Sequence, residues 1–325
     1  MPIPTMRFLS CAMAAMLSAS LAPPSSPLYA AAEFRESRGA DPQGTVEIFD
    51  ITGSIELTGW DRPEIEVTGA ADDLGDRVHI SGGGDKTSIH VRPGVGAGHA
   101  GDEPRLVIHV PEKSDVKATL VSANLKVQGL KGDVDLRTVS GNISGEVGGD
   151  LRVNTATGFV HLTARGAKST EVRTINGDVE LTGGSGEVEI QTVSGNAKVD
   201  VTTLTRGRFH SISGNLKANL SLAPDAEVDG ESVSGNMRFD FPAAPAADFD
   251  IQTFSGDIDN CFGPKAEKAH YGPGSRLEFK SGQSQARVRI ETKSGDVHLC
   301  TGALRHEAAA PVANYRRARD IFYAI

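Results

Sequence analysis

A five-residue motif recurs through the middle of this 325-residue chain and constrains its fold more than any other feature. Each copy has Thr or Ser first, glycine fourth and, in most copies, Asn or Asp last. Between Gly141 and Gly256 the motif glycines are separated by 17, 19, 18, 19, 21 and 21 residues. Such a near-constant period is typical of stacked repeat architectures. The copies of this corner motif are Thr138–Asn142, Thr155–Phe159, Thr174–Asp178, Thr192–Asn196, Ser211–Asn215, Ser232–Asn236, Thr253–Asp257 and Thr292–Asp296.

Apolar residues alternate with polar ones on both sides of each corner motif. Val188 and Ile190 precede one copy at alternate positions, and Val199 and Val201 follow it. This period of two predicts strands with one buried face. Each repeat is therefore predicted to be two short strands joined at a tight turn, where glycine permits a positive φ and Asn or Asp tolerates it next best.

Two strands cannot bury a face alone, so successive repeats are predicted to stack. The predicted fold is all-β, a parallel β-solenoid of about nine or ten two-strand coils. A sandwich of antiparallel hairpins is the alternative that short strands with regular turns also allow. The solenoid is favoured because the motif repeats in identity, and identical side chains form columns only when every coil presents the same position.

The second residue of each corner motif forms what we call the apolar column. If strand parity holds through the motif, the first and third residues point inward and hydrogen-bond along the stack, while the apolar column is exposed. An exposed apolar stripe of this length usually marks an interface. The alternative is that the chain bends before the glycine and buries the column. Its members are Val139, Ala156, Ile175, Val193, Ile212, Val233, Phe254 and Lys293, and the candidate interaction face is Val139, Ile175, Val193, Ile212, Val233 and Phe254.

Residues 1–32 are predicted to be a secretory signal peptide. Arg7 is their only charge, residues 8–21 form an apolar run, and residues 30–32 are alanines that suit a cleavage site. A transmembrane anchor is disfavoured because small and polar residues interrupt the run. The mature chain is therefore expected in the periplasm or at the cell surface.

The charge balance disfavours a nucleic-acid partner. Without residues 1–32 the chain would have 32 basic and 42 acidic residues, for a net charge of about −10. The expected partner is instead an unidentified envelope protein or polysaccharide, and self-association into a homo-oligomer is left open.

The two cysteines that follow residue 32 are predicted to form a disulfide, as suits an exported chain. Cys261 comes five residues after Gly256, and Cys300 comes five residues after Gly295, so both occupy the same column. One coil apart, their Cα atoms would be about 4.8 Å apart, which a disulfide accepts, whereas two coils would place them too far apart. Residues 262–285 are therefore predicted to leave the stack instead of adding a full coil.

The remaining segments flank the repeats of residues 116–300. Residues 33–115 contain short strand-like runs and are predicted to form an N-terminal capping β region. In the tail, residues 301–325, Tyr315, Ala318, Phe322 and Ile325 recur at helical spacing and predict a short amphipathic helix. This helix is expected to cap the last coil, with contact to a membrane surface or a partner as the alternative.

Three stretches resemble a bacterial β-strand-repeat family of unknown function that is labelled "putative adhesin". They are residues 53–61, the run of corner motifs, and the closing stretches at 256–263 and 294–300. The resemblance covers about residues 44–300 and implies a surface or periplasmic binding role. It implies no catalytic residue.

Residue patterns that would support catalysis or metal binding are not found in the sequence. Lyases and hydrolases with a solenoid fold need clustered carboxylates or basic groups on one face, and here the acids are spread out. His79, His90 and His109 lie on candidate strands without metal-ligand spacing. The sequence thus predicts no cofactor and no enzyme, but an exported adhesin-like protein that binds or scaffolds in the cell envelope. The alternatives are a carbohydrate-active enzyme with its site under residues 262–285, and an accessory in envelope-stress signalling.

Overall fold

The computed structural model describes residues 33–70, 74–93, 104–268, 273–283 and 285–302. These residues form a 21-stranded sheet and one short helix. The signal peptide and the C-terminal helix that the sequence predicts lie outside the described residues. The elements are β1 (Glu33–Trp60), β2 (Glu64–Ala70), α1 (Leu74–Arg77), β3 (Val78–Val91), β4 (Arg105–Pro111), β5 (Asp115–Leu130), β6 (Val134–Ser140), β7 (Ile143–Val147), β8 (Leu151–Thr157), β9 (Val160–Ala164), β10 (Ser169–Asn176), β11 (Val179–Gly183), β12 (Ser185–Ser194), β13 (Ala197–Ser213), β14 (Leu216–Ser234), β15 (Met237–Phe241), β16 (Ala247–Ser255), β17 (Ile258–Asn260), β18 (Glu267–Lys268), β19 (Ser275–Ser281), β20 (Arg287–Ser294) and β21 (Val297–Thr301).

The strands form two parallel arms that meet at the corner motifs. The first arm contains the strand segments before each motif glycine, and the second arm contains those after it. Long strands such as β13 and β14 belong to the second arm of one coil and then to the first arm of the next. Each segment pairs in parallel with the equivalent segments of the neighbouring coils. The prediction of an all-β, solenoid-like stack of parallel strands is thus confirmed, and the sandwich of antiparallel hairpins is wrong.

The core lies between the arms and is built from inward columns of apolar side chains. In the first arm Val153, Val172 and Ile190 are stacked on one another and are fully buried. The first residue of each corner motif completes this buried face, because the Thr or Ser side chain there is at most 7% exposed. Burial of a Val or Ile side chain stabilises the fold by roughly 1.5–3 kcal/mol. The regular alternation of the sequence is therefore what closes the stack.

Most corners require glycine for two physical reasons, although Gly177 lacks the positive φ and one corner has Ala123 at this position. Gly214 has a φ of 143°, in a region that side chains rarely adopt. A Cβ atom at Gly214 would also lie 2.8 Å from the carbonyl carbon of Gly195 in the neighbouring coil, and still closer to its oxygen. Among the described residues no residue other than glycine has a positive φ. The prediction that Asn or Asp is present because it tolerates this conformation is therefore wrong.

The Asn and Asp residues instead link neighbouring coils. The Oδ1 atom of Asn196 accepts a hydrogen bond from the backbone N–H of Asn215 at 3.3 Å, and Oδ1 of Asn215 accepts one from the N–H of Asn236 at 3.1 Å. The same bond recurs at other corners and forms a ladder of side-chain acceptors along the stack. Phe159 occupies this position in one coil and has no side-chain oxygen that could accept this hydrogen bond.

The hydroxyl groups of the motifs do not form the predicted inward ladder. The third residue of each motif, such as Ser194 or Ser213, is exposed rather than buried, except at Ser255, which is half-buried. The buried hydroxyl of Thr138 donates to the backbone carbonyl of Ser140 at 3.1 Å, within its own corner. The reason is that the backbone turns before the glycine, so the second and third residues both lie outside.

The final coil is inserted between two earlier ones. Strand β20 pairs in parallel with β14 on one side and with β16 on the other. Likewise, β21 lies between β15 and β17. This order places Cys261 and Cys300 on adjacent levels, with Cα atoms 4.8 Å apart and joined by a disulfide. The disulfide and its spacing agree with the prediction, but the order of the coils in space differs from their order in sequence.

The sequence predicts that residues 262–285 leave the stack, but part of this segment remains paired with it. Strand β19 pairs antiparallel with β16 and adds an edge strand to the first arm. Phe279 of β19 stacks on Phe249 at 4.6 Å between ring centroids, and Phe262 packs against both rings. An equivalent antiparallel strand, β2, lies beside β4 at the other end of the stack. Neither region has a corner motif, so the sequence does not predict the antiparallel direction of these strands.

Replacement of Gly214 by Ala should destabilise the protein by about 3 kcal/mol, because the new Cβ adds strain at a positive φ and overlaps the backbone of the next coil. Gly39→Ala is the matched control, since a Cβ at Gly39 has no atom within 4 Å. Urea unfolding measures the free energy of unfolding of both variants. Equal stability of the two variants would refute the account of the corner.

Replacement of Asn215 by Ala removes the acceptor for the backbone N–H of Asn236. We expect a loss of about 1 kcal/mol in the free energy of unfolding. Asn215→Asp keeps a side-chain oxygen at the same position, as Asp178 does naturally in its own coil, and should retain most of the stability. The ladder is unimportant if the two variants unfold at the same urea concentration.

Candidate functional site

The apolar column is exposed. Its candidate interaction face has relative exposures between 41% at Val193 and 76% at Phe254. Val121 is 46% exposed and extends the column by one coil toward the N terminus. Val121 lies outside the column predicted from the sequence because its motif has Ala123 in place of glycine. Of the two arrangements that the sequence left open, the structure therefore shows the exposed one.

The insertion of the final coil changes the order of the column. Lys293 lies between Val233 and Phe254 in space, although it follows both in sequence. From Phe254 the order along the stack is Lys293, Val233, Ile212, Val193, Ile175, Ala156, Val139 and Val121. With strands about 4.8 Å apart, the column is about 38 Å long.

The apolar column forms one side of a continuous groove along the outer face of the first arm. The groove has a volume of about 1550 Å³. Its other side is formed by the residues two positions before the apolar column, which we call the polar column. In spatial order these are Thr119, Arg137, Asn154, Arg173, Gln191, His210, Glu231, Glu291 and Gln252.

The charge of the polar column changes sign along the groove. Its N-terminal half contains Arg137 and Arg173, and its C-terminal half contains Glu231 and Glu291. Arg137, Arg173 and Glu291 each have an oppositely charged partner on their own or a neighbouring strand, such as Asp135 for Arg137 at 3.0 Å, and Glu231 lies 3.3 Å from His210. Exposed pairs of this kind contribute little to stability. Lys293 and Arg276 also line the C-terminal half of the groove, so this half contains both acidic and basic groups.

The described residues contain no group of three or more His, Cys, Asp or Glu side chains that could hold a metal ion. The carbohydrate site was predicted under residues 262–285. In the described part of this segment, Phe262 and Phe279 pack against each other and against Phe249. Its basic groups form ion pairs along the outer surface, such as Lys280 with Asp248 at 3.1 Å. No helix in the described parts of the chain is sufficiently long and apolar to cross a membrane.

Comparison with known proteins identifies the family. The model of the Toastrack DUF4097 family matches residues 75–300. The chain belongs to this family. The resemblance to a repeat family of unknown function labelled "putative adhesin" is thereby confirmed. No curated protein matches this Toastrack chain.

Several solved structures align with most of this chain at low similarity. A putative cell adhesion protein from Clostridium sporogenes ATCC 15579 has 9% identity, covers 83% of this chain and 100% of its own, and has a TM-score of 0.24. A putative adhesin from Bacteroides fragilis NCTC 9343 has 7% identity, coverages of 82% and 97%, and a TM-score of 0.37. A putative lipid binding protein from Parabacteroides distasonis ATCC 8503 has 11% identity, coverages of 82% and 96%, and a TM-score of 0.29. These scores are low, so the family assignment depends on the sequence match.

Replacement of Ile212 by Asp should change the free energy of unfolding by less than about 1 kcal/mol, because the side chain is already exposed. Val199→Asp in the same strand, β13, is the contrasting variant, since Val199 is fully buried and an unpaired carboxylate there should prevent folding. Circular dichroism shows whether each variant folds, and thermal unfolding measures its stability. Unfolding of the Ile212 variant would show that the column belongs to the core.

Proposed function

We propose that this Toastrack-family protein is an exported, non-enzymatic protein that binds or scaffolds a partner in the bacterial cell envelope, in the manner of an adhesin. The apolar groove is its binding surface. The observation that supports this function is the exposed apolar column, which extends over about 38 Å, is interrupted by one charged residue, Lys293, and has no packing role in the core.

The size of the exposed column supports a binding role. A monomeric soluble protein rarely exposes a contiguous apolar patch larger than a few hundred Å² unless the patch contacts a partner or a membrane. The constant register of the stack also favours a rigid groove, because the backbone of each column residue inside the stack is paired with a neighbouring coil on both sides. A preorganised surface loses little conformational entropy on binding. In this proposal, a regular β-solenoid of about nine or ten coils serves as the rigid support.

Two independent features support an extracytoplasmic location. The sequence of residues 1–32 has the charge and apolar run of a secretory signal peptide. The disulfide between Cys261 and Cys300 is of the kind that persists in oxidising compartments such as the periplasm or the cell surface.

The carbohydrate-active alternative has less support than binding. Residues 262–285 were its predicted location, and the described part of this segment supplies aromatic core packing, ion pairs such as that of Lys280 with Asp248, and one groove-lining cation, Arg276, which is paired with Asp250 at 3.7 Å. A role as an accessory in envelope-stress signalling is compatible with the same groove, because such an accessory also acts by binding a partner.

The test is partner capture from a cell-envelope extract of the native bacterium by the purified mature protein. The groove variant carries Val193→Asp, Ile212→Asp and Val233→Asp. The control carries Ser194→Asp, Ser213→Asp and Ser234→Asp, which add the same charge to the same coils at exposed positions outside the groove. We expect the wild type and the control to retain a common partner and the groove variant to lose at least about 90% of it, as one lost hot-spot interaction predicts.

Retention of the same partner by the groove variant would contradict the proposed surface. A second measurement tests export: mass spectrometry of the protein from intact cells should find its N terminus near Glu33. An intact residue 1–32 segment on the cell-associated protein would contradict the proposed location.

A further inference from the structure

The groove presents the same arrangement of two side chains in eight successive coils. In each of these coils one residue of the polar column and one residue of the apolar column lie two positions apart on the same strand. Residues i and i+2 of a strand face the same side, so the two columns are about 7 Å apart at their Cα atoms. In spatial order the pairs are Arg137 and Val139, Asn154 and Ala156, Arg173 and Ile175, Gln191 and Val193, His210 and Ile212, Glu231 and Val233, Glu291 and Lys293, and Gln252 and Phe254.

The polar column supplies one planar hydrogen-bonding group in each of the eight coils. It contains two guanidinium groups, three amides, one imidazole ring and two carboxylates, and each of them has at least two hydrogen-bonding positions. The apolar column supplies a hydrocarbon side chain in seven of the same coils, with Lys293 as the exception. An occupant that uses both columns therefore has hydrogen-bonding groups along one side and hydrocarbon surface along the other.

The position of the groove on the sheet disfavours an extended peptide. The groove crosses the strands, and inside the stack each strand is already paired through its backbone with both neighbours. A peptide therefore has no free strand edge to which it could add a strand. Its side chains on one face would also repeat about every 6.8 Å, which does not match coils that are about 4.8 Å apart.

The width of the groove disfavours an α-helix and suits a single polysaccharide chain. A helix is about 10–12 Å across, whereas the columns are about 7 Å apart, so a helix would rest on the tips of the side chains. A single polysaccharide chain is narrower because it is one sugar ring thick. The rings of an extended β-linked glycan also repeat at nearly the spacing of the coils, so each ring can contact one residue of each column.

The charges that line the groove favour an uncharged occupant. In the C-terminal half, the two carboxylates of the polar column are balanced by two cations, Lys293 and Arg276. In the N-terminal half, the two arginines of the polar column pair with Asp135 at 3.0 Å and with Glu171 at 2.7 Å, which lie beside the groove. A polyanion or a polycation would therefore meet like charges somewhere along the groove. Hydroxyl groups are compatible with both signs, because they donate and accept hydrogen bonds.

We propose that the groove binds an uncharged, linear, β-linked glycan with one sugar ring in each coil. The hydrocarbon face of each ring contacts the apolar column, and the hydroxyl groups at its edge form hydrogen bonds with the polar column. This inference rests on the proposed function, because it gives the chemical class of the partner that the same groove binds.

Isothermal titration calorimetry of the purified mature protein with β-1,4-linked oligosaccharides tests the inference. The probes are cellobiose and cellohexaose, with chitobiose and chitohexaose as the N-acetylated series. At least one hexasaccharide should bind at least about tenfold more tightly than its disaccharide, because each additional ring forms hydrogen bonds in another coil. Maltohexaose, an α-linked chain that is curved instead of extended, is the control and should bind at least about tenfold more weakly than that hexasaccharide.

A matched pair of variants locates the binding site. Gln191→Leu removes one amide from the polar column and keeps a side chain of similar size, so it should weaken binding of the hexasaccharide about fivefold. Gln128→Leu makes the same change at an exposed position of the second arm, outside the groove, and should leave the affinity unchanged. Circular dichroism checks that both variants keep the fold.

Failure of both β-linked hexasaccharides to bind would overturn the inference. Equal binding of maltohexaose, or an equal loss of affinity in the two glutamine variants, would also overturn it, because the groove would then not select an extended chain or would not be the site. If no hexasaccharide binds while the wild type still captures an envelope partner that the groove variant loses, the proposed function stands and the inference alone is lost. Loss of hexasaccharide binding in the groove variant, with the fold intact, would support both.

Discussion

The close contact of backbones at the corners determines the rest of the structure. Each motif glycine lies against the backbone carbonyl at the same position of the neighbouring coil, which is Ala123 for Gly141 and a glycine for the others, with no room for a Cβ atom between them. This contact fixes the register of every coil, because a shift by one residue would bring a side chain into the contact. Once the register is fixed, each sequence position becomes a column that runs along the whole stack.

The groove follows from these columns. The first residue of each motif closes the core, and the backbone then turns, so the second residue must face outward regardless of its polarity. Apolar side chains at this position therefore gain no core burial. Their repeated presence at Val139, Ile175 and Ile212 is not required by packing, which is why binding is the best-supported role for the groove.

The sequence predicted the fold well where the corner motif is present. It predicted less where the motif is absent. Parallel stacking and the cysteine spacing followed from a shared column. The exposed face was predicted from strand parity, which holds as far as the second residue of each motif and fails at the third. The antiparallel strands β2 and β19 have no motif, so nothing local distinguished them from parallel ones. The Asn and Asp ladder was misinterpreted because the same residues also favour turns. The groove is formed by two columns, and only the register of the stack shows that Arg137 and Glu231 lie along the same one.

The inserted final coil has a consequence for the order of assembly. Strands β16 and β17 are synthesised before β20 and β21 but lie beyond them in the stack. When β17 is complete, the level next to β15 is still empty, and the edge of β15 exposes unpaired backbone groups. The stack is complete only when the chain has been made as far as Thr301. Cys261 and Cys300 become neighbours only when β21 has taken its place between β15 and β17. Formation of the disulfide therefore requires that the last level be filled in the native order.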